Sequence, residues 1–115
     1  MRPVIITKRS DFLHTQQNGI VCKKPFILLT ASHNQQNIPR FGFTISKKIG
    51  SAVIRNKIKR RLKSIVKTIL THPNNQKLSN ASFDFVFIAT PKTAQCDFLH
   101  LQNQVKEAID LVISQ

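Results

Sequence analysis

The sequence predicts a single α+β domain with the element order α-β-β-α-β-α, and three observations predict it. Residues 40–46, RFGFTIS, alternate with period two and place Phe41, Phe43 and Ile45 on one side of a strand. Between Ser51 and Leu70, Ile54, Ile58, Leu62, Ile65, Val66 and Ile69 recur at helical spacing and form one apolar stripe. Residues 83–89, FDFVFIA, are almost continuously apolar, as in a strand covered on both faces. Strand, long helix, strand implies a crossover and at least one parallel pair in a mixed sheet. A chain of 115 residues with 41% hydrophobic content is enough for one modest core.

The elements follow in order. Ser10 is placed to cap a short helix running from Asp11 to a stop at Gly19, and Asp11 suits the positive helix end. Residues 20–31, IVCKKPFILLTA, are rich in β-formers; Pro25 marks an edge or an irregular start and leaves the region open to division in two. The polar segment 32–39 joins it to the strand at 40–46, and two strands so connected read as an antiparallel hairpin. Gly50 closes the strand region, Ser51 is the expected N-cap of the long helix, and His72-Pro73 ends it. Residues 72–82 read as a loop. Pro91 breaks the last strand. A final helix runs from a cap at Asp97 to Ile113, with Phe98, Leu101, Val105, Ala108, Ile109 and Val112 on one face. No repeat or low-complexity tract interrupts this plan, so residues 1–115 are assigned to one domain.

Eighteen Lys and Arg stand against five Asp and Glu, for a formal net charge of +13. No acid occurs between Asp11 and Asp84, and nine of the eighteen basic residues lie between Lys47 and Lys67. A surface that served only solubility would mix the two signs. On the long helix Lys57, Arg60, Arg61, Lys63 and Lys67 share the arc opposite the apolar stripe, where like charges three and four residues apart repel. A phosphate backbone relieves that repulsion. A membrane-surface helix needs its apolar stripe free to insert, whereas here the sheet needs it as core, so no membrane is expected. Nothing resembles a helix-turn-helix or zinc module for groove reading. Unpaired RNA is read by aromatic stacking and by polar side chains on a sheet, and of the eight Phe (with no Tyr or Trp) most sit on strands as core. Phe12, on the short first helix, is the stacking candidate and equally a candidate for the core.

Catalytic chemistry has little to draw on. The five acids are widely spaced, and no paired carboxylates, Ser-His-Asp order, metal-ligand spacing or phosphate-binding Gly-rich loop is legible. Cys22 and Cys96 read as reduced thiols of a cytoplasmic protein. His14, His33, His72 and His100 are scattered, and the N-terminal apolar run is too short for a signal peptide.

Residues 41–63, FGFTISKKIGSAVIRNKIKRRLK, resemble the signature of the bacterial ribonuclease P protein subunit: a strand ending in Ser-Lys-Lys, then Gly, Ala-Val, an Arg-Asn-Arg-like core and Ile-Lys-Arg. Ser10-Asp11-Phe12, Gly19, PFILL at 25–29 and FDFVFIATP at 83–91 follow that family's order over nearly the whole chain. The resemblance implies an α-β-β-β-α-β-α two-layer sandwich with a central mixed sheet, ribosomal-protein-like. It also implies a left-handed crossover, against the hand found in about 98% of such connections. It implies further that the RNA subunit is the catalyst, with magnesium held there and none bound by the protein alone. The protein would bind the 5′ leader of precursor tRNA in a cleft between the first helix and the sheet, dock on the catalytic RNA, and act as a monomer with no catalytic side chain of its own. Endonucleolytic removal of the leader would give the mature tRNA 5′ end.

Carried over by position, the leader cleft comprises Phe12, Ile27, Leu29, Arg55, Asn56 and Lys59, and the catalytic-RNA face comprises Lys47, Lys48, Lys57, Arg60, Arg61 and Lys63. Asn56 is a donor and acceptor among pure donors; it either orients Arg55 and bonds the leader or merely holds the helix start. Lys57 stands where the family triplet has a second Arg, losing a bidentate fork. Gln16 stands where a second aromatic often follows Phe12, and Leu29 where some members have Tyr. A ribosomal or other structural RNA-binding protein on the same fold is the alternative. A stand-alone nuclease is disfavoured by the missing acid cluster.

Overall fold

The computed structural model describes residues 2–114. A five-stranded mixed sheet is built from β1 (Val4–Ile5), β2 (Ile20–Lys23), β3 (Ile27–His33), β4 (Arg40–Thr44) and β5 (Phe83–Ala89), in the order β1-β4-β5-β3-β2. The helices are α1 (Arg9–Asn18), α2 (Ala52–Thr71), α3 (Gln76–Ser79) and α4 (Phe98–Ile113). The expected division of the first strand region holds: β2 and β3 pair antiparallel on either side of Pro25. Strand β1 escaped the sequence reading. It is two residues long and exists through parallel pairing to β4, continued by the Ile6 N–H donating to the Phe41 carbonyl at 2.7 Å.

The hairpin expected between residues 20–31 and 40–46 does not form. Strand β5 lies between β3 and β4, antiparallel to the first and parallel to the second. Its sequence explains the place: Phe85, Val86 and Phe87 are all buried, and a strand apolar on both faces belongs at the centre of a sheet. The connection at 34–39 therefore steps over β5, and α2 becomes the crossover between the parallel neighbours β4 and β5.

Period two sorts the sheet residues onto two faces. Ile27, Leu29, Ala31, Phe41, Phe85 and Phe87 face one way and join Ile58, Leu62, Ile65, Val66 and Ile69 of α2 and Leu101, Val105, Ala108, Ile109 and Val112 of α4 in the core. Sheet and α2–α4 layer make the expected sandwich. Thr30, Ser32, Gly42 and Asp84 face the other way, where α1 lies alone.

Local signals set the helix ends, with exceptions. The Ser51 hydroxyl caps α2 by accepting from the Ile54 N–H, and the Asp97 carboxylate caps α4 by accepting from the His100 N–H. Helix α1 starts earlier than expected, at Arg9 after Lys8, and Ser10 lies within it rather than capping it. Gly19 does end α1, for a steric reason: a Cβ there would fall 2.2 Å from the Thr15 carbonyl oxygen. Residues 72–82 are not plain loop; a 3-10 turn (Pro73–Asn75) leads into α3, which buries Leu78 in the core. Phe98 and Ile54 each lie in the first turn of their helix and are exposed rather than packed in the stripe.

Candidate nucleic-acid interface

Gly42 lies mid-strand on the α1 face, and an ideal Cβ on it would sit 2.7 Å from Phe12 Cε1 and 3.0 Å from Cζ. The missing side chain lets the Phe12 ring press on the β4 backbone. That ring is the floor of a groove. On one side of it Leu13, Gln16, Thr44, Val86 and Ile88 enclose about 450 Å³ between α1 and the sheet. On the other side, Ile5, Ile6, Phe43, Lys59 and Lys63 enclose about 460 Å³ between the N-terminal segment and α2. Phe12, Phe43 and Thr7 line both halves, so the groove is continuous. Each half falls within the ~300–1,000 Å³ typical of sites for nucleotide-sized ligands.

The two halves differ chemically. The α1 half is mainly apolar. The α2 half opens onto Lys59 and Lys63, and beyond these Asn56 and Arg60 line an adjoining depression. Further along α2, Lys63, Ser64 and Lys67 form a third hollow with Arg2, Pro3 and Ile5. Lys59, Lys63 and Lys67 are successive at four-residue spacing, so one helix edge presents a row of ammonium groups along the groove.

Among the described residues, none of the nine cations between Lys47 and Lys67 takes part in an ion pair. Four of the five acids are engaged elsewhere. Asp11 and Asp84 both contact Arg40, Glu107 pairs with Lys24 at 3.1 Å, and Asp97 binds its own helix end. The backbone N–H and then the ring of His100 hold the Asp97 carboxyl below the ordinary carboxylate range. Cys96 is buried, and burial pushes its thiol up while the positive charge of Arg61 only partly opposes it, the reverse of an activated nucleophile. Among the described residues, no group of three His, Cys, Asp or Glu could hold a metal ion.

The sequence-derived site residues divide on this structure. Phe12 and Lys59 come together in the groove. Ile27 and Leu29 do not: both are fully buried in the core beneath α2 and α4, because strand alternation turns them away from α1. Arg55 is also placed differently, its Nε donating to the Gly50 carbonyl at 3.2 Å. That carbonyl, rather than Asn56, orients it. Asn56 is exposed and makes no side-chain hydrogen bond among the described residues, so it is not consumed in holding the helix start. Lys63, expected on the outer arc, shares the groove with Lys59. Arg60 neighbours them, Lys47 and Lys48 are exposed on a 3-10 turn before α2, and Lys57 and Arg61 sit one turn apart on the other flank.

Phe43, Val86, Ile88 and Thr44 were missed as groove residues. The signal that could have found them is Gly42, since a glycine inside a strand marks a close approach by another group.

The family model described as Ribonuclease P matches residues 1–112. The Ribonuclease P protein component of Erythrobacter litoralis (strain HTCC2594) is 35% identical over 108 residues, covering 94% of this chain and 84% of that protein. The Ribonuclease P protein component of Clostridium botulinum (strain 657 / Type Ba4) is 31% identical over 98 residues, covering 85% and 84%. The structure of the Staphylococcus aureus RNase P protein superposes with a TM-score of 0.80 at 25% identity, covering 96% of both chains. The RNase P protein from Thermotoga maritima shares the fold with a TM-score of 0.74 at 23% identity, covering 93% of both chains.

Proposed function

The chain belongs to the ribonuclease P protein family, and from that premise we propose that its groove holds the 5′ leader of precursor tRNA while α2 faces the catalytic RNA. It is the protein component of ribonuclease P, a subunit of a holoenzyme whose tRNA-processing activity is RNA-based. Its established partner is the RNA subunit. Binding of the leader is the finer step, and the continuity of an apolar floor at Phe12 with the ammonium row at Lys59 and Lys63 carries it.

The chemistry follows from the two halves. A single-stranded segment offers base faces and phosphates at once; the faces stack or pack on the floor and the phosphates take the lysines. Nine cations on one helix and its preceding turn, unpaired among the described residues, also lower the repulsion between two RNAs brought together. Less magnesium is then needed to screen them. The ions for the cleavage step belong with the RNA in this reading, and among the described residues the protein's own donors make no cluster for them. We assign this work to the cytoplasm, with the protein acting as a monomer.

A precursor-tRNA cleavage assay tests the division of labour. The protein alone should cut nothing, and at low magnesium it should stimulate the RNA subunit. Cleavage by RNA-free protein would refute it. The leader assignment is tested separately: Phe12→Ala and Lys59→Ala should each weaken binding of precursor by the holoenzyme by roughly 1–3 kcal/mol, as for a lost stacking or charge-assisted contact. Mature tRNA, without a leader, should bind as before. Equal losses for both ligands would remove the leader from the groove.

A further inference from the structure

We infer that the chain Asp84–Arg40–Asp11 sets the position of α1 over the sheet, making Asp11 and Arg40 positioning residues for leader binding. The inference rests on the groove reading above and deepens it. Asp84, on the central strand, is buried, and its register partner on β4 is Arg40. Arg40 forks onto it, Nε to Oδ1 at 2.8 Å and Nη2 to Oδ2 at 2.6 Å, while the Asn34 amide also donates to Oδ1 at 2.8 Å. A guanidinium so held is a fixed point of the sheet. From that point Nη2 faces Asp11 Oδ1 across the gap to α1 at 3.5 Å.

Apart from the Phe12 ring on Gly42, helix α1 has few other attachments at this end. It buries only Thr15 fully, and its cross-links to β3 are the long neutral contacts Thr15–Thr30 and His14–Ser32, both 3.4 Å. No apolar stripe pins it. The residue after Asp11 is Phe12, whose ring is the groove floor, so a displacement of the first turn displaces the floor. Asp11 also sits beside a groove that takes a polyanion. An acid there costs affinity by charge alone, and its contact with Arg40 accounts for its presence.

The sign of that charge term makes the test decisive. Asp11→Asn leaves the Arg40–Asp84 fork intact and adds one unit of positive charge, so electrostatics alone would tighten binding of every RNA. In the reconstituted holoenzyme, positioning instead requires precursor affinity to fall by about two- to fivefold, the scale of one partly exposed charge contact. Mature-tRNA affinity and assembly with the catalytic RNA should not fall. Asp11→Glu, which keeps the carboxylate, should stay near the parent value. Ser10→Asp combined with Asp11→Asn returns a negative charge to the first helical turn without the Arg40 contact; it should remain weak for precursor. Precursor affinity that is unchanged or tighter in Asp11→Asn overturns the inference, as does full recovery in the double variant. Phe12→Ala run in parallel separates the two levels: a selective loss there with none in Asp11→Asn removes the positioning chain and leaves the groove, whereas no selective loss in either removes both.

Discussion

Phe12 and Gly42 are in such close contact that no other residue fits at position 42 without moving the ring; a Cβ would meet Cε1 at 2.7 Å and the Ile6 Cβ at 3.3 Å. One glycine thus fixes how deep the groove floor lies. Gly42→Ala should therefore cost about 1–3 kcal/mol of stability through overpacking. It should also lift the ring and weaken holoenzyme binding of precursor more than of mature tRNA. Thermal unfolding together with the two affinities checks this; a stable variant with unaltered discrimination would mean that the ring position is immaterial.

Arg40 and Asp84 make the most enclosed ion pair among the described residues, with side chains 22% and 5% exposed. Their bond also makes the Arg40 guanidinium harder to deprotonate. Arg40→Met leaves the buried carboxylate with Asn34 as its remaining side-chain partner. The loss should fall at the lower end of the ~3–5 kcal/mol expected when a buried pair is broken from one side. Urea unfolding at neutral pH measures it, and a loss under 1 kcal/mol would show Asn34 to be a sufficient partner.

Leu29 separates core from cleft. With no exposed surface, Leu29→Ala should cost about 2–5 kcal/mol. Below its unfolding temperature the variant should keep the parent ratio of precursor to mature affinity. A changed ratio in a folded variant would return Leu29 to the leader site.

Local features were legible and non-local ones were not. The Ser51 cap, the α2 stripe and the Asp97 cap each depend on neighbours within a turn or two, so residue type and spacing were enough. The place of β5 between β3 and β4 depends on pairing with strands about forty and fifty residues earlier, and β1 exists only through its partner. Parity explains the main error in the site. Alternation says that Leu28 and Leu29 face opposite ways, but which one faces α1 is decided by where α1 packs. Lys63 was assigned to the outer arc, although its place one helical turn after Lys59 made it legible as a groove residue.

That turn separates two sets of cations on α2, and salt dependence can tell them apart. Lys59 and Lys63 edge the groove, whereas Lys57 and Arg61 lie one turn apart on the other flank. Each phosphate contact removed should flatten the dependence of log affinity on log salt by about 0.7–0.9. Lys59→Gln with Lys63→Gln should therefore flatten precursor binding by up to about 1.4–1.8 while leaving mature tRNA nearly unchanged, if both lysines take leader phosphates. Lys57→Gln with Arg61→Gln should flatten assembly with the catalytic RNA instead and leave the precursor-to-mature ratio alone. Glutamine keeps the helix propensity of the parent side chains, so circular dichroism should not change. An identical change of slope for precursor and mature tRNA in the first pair would place those lysines on the body of the tRNA or on the catalytic RNA, and the groove would lose its phosphate-binding edge.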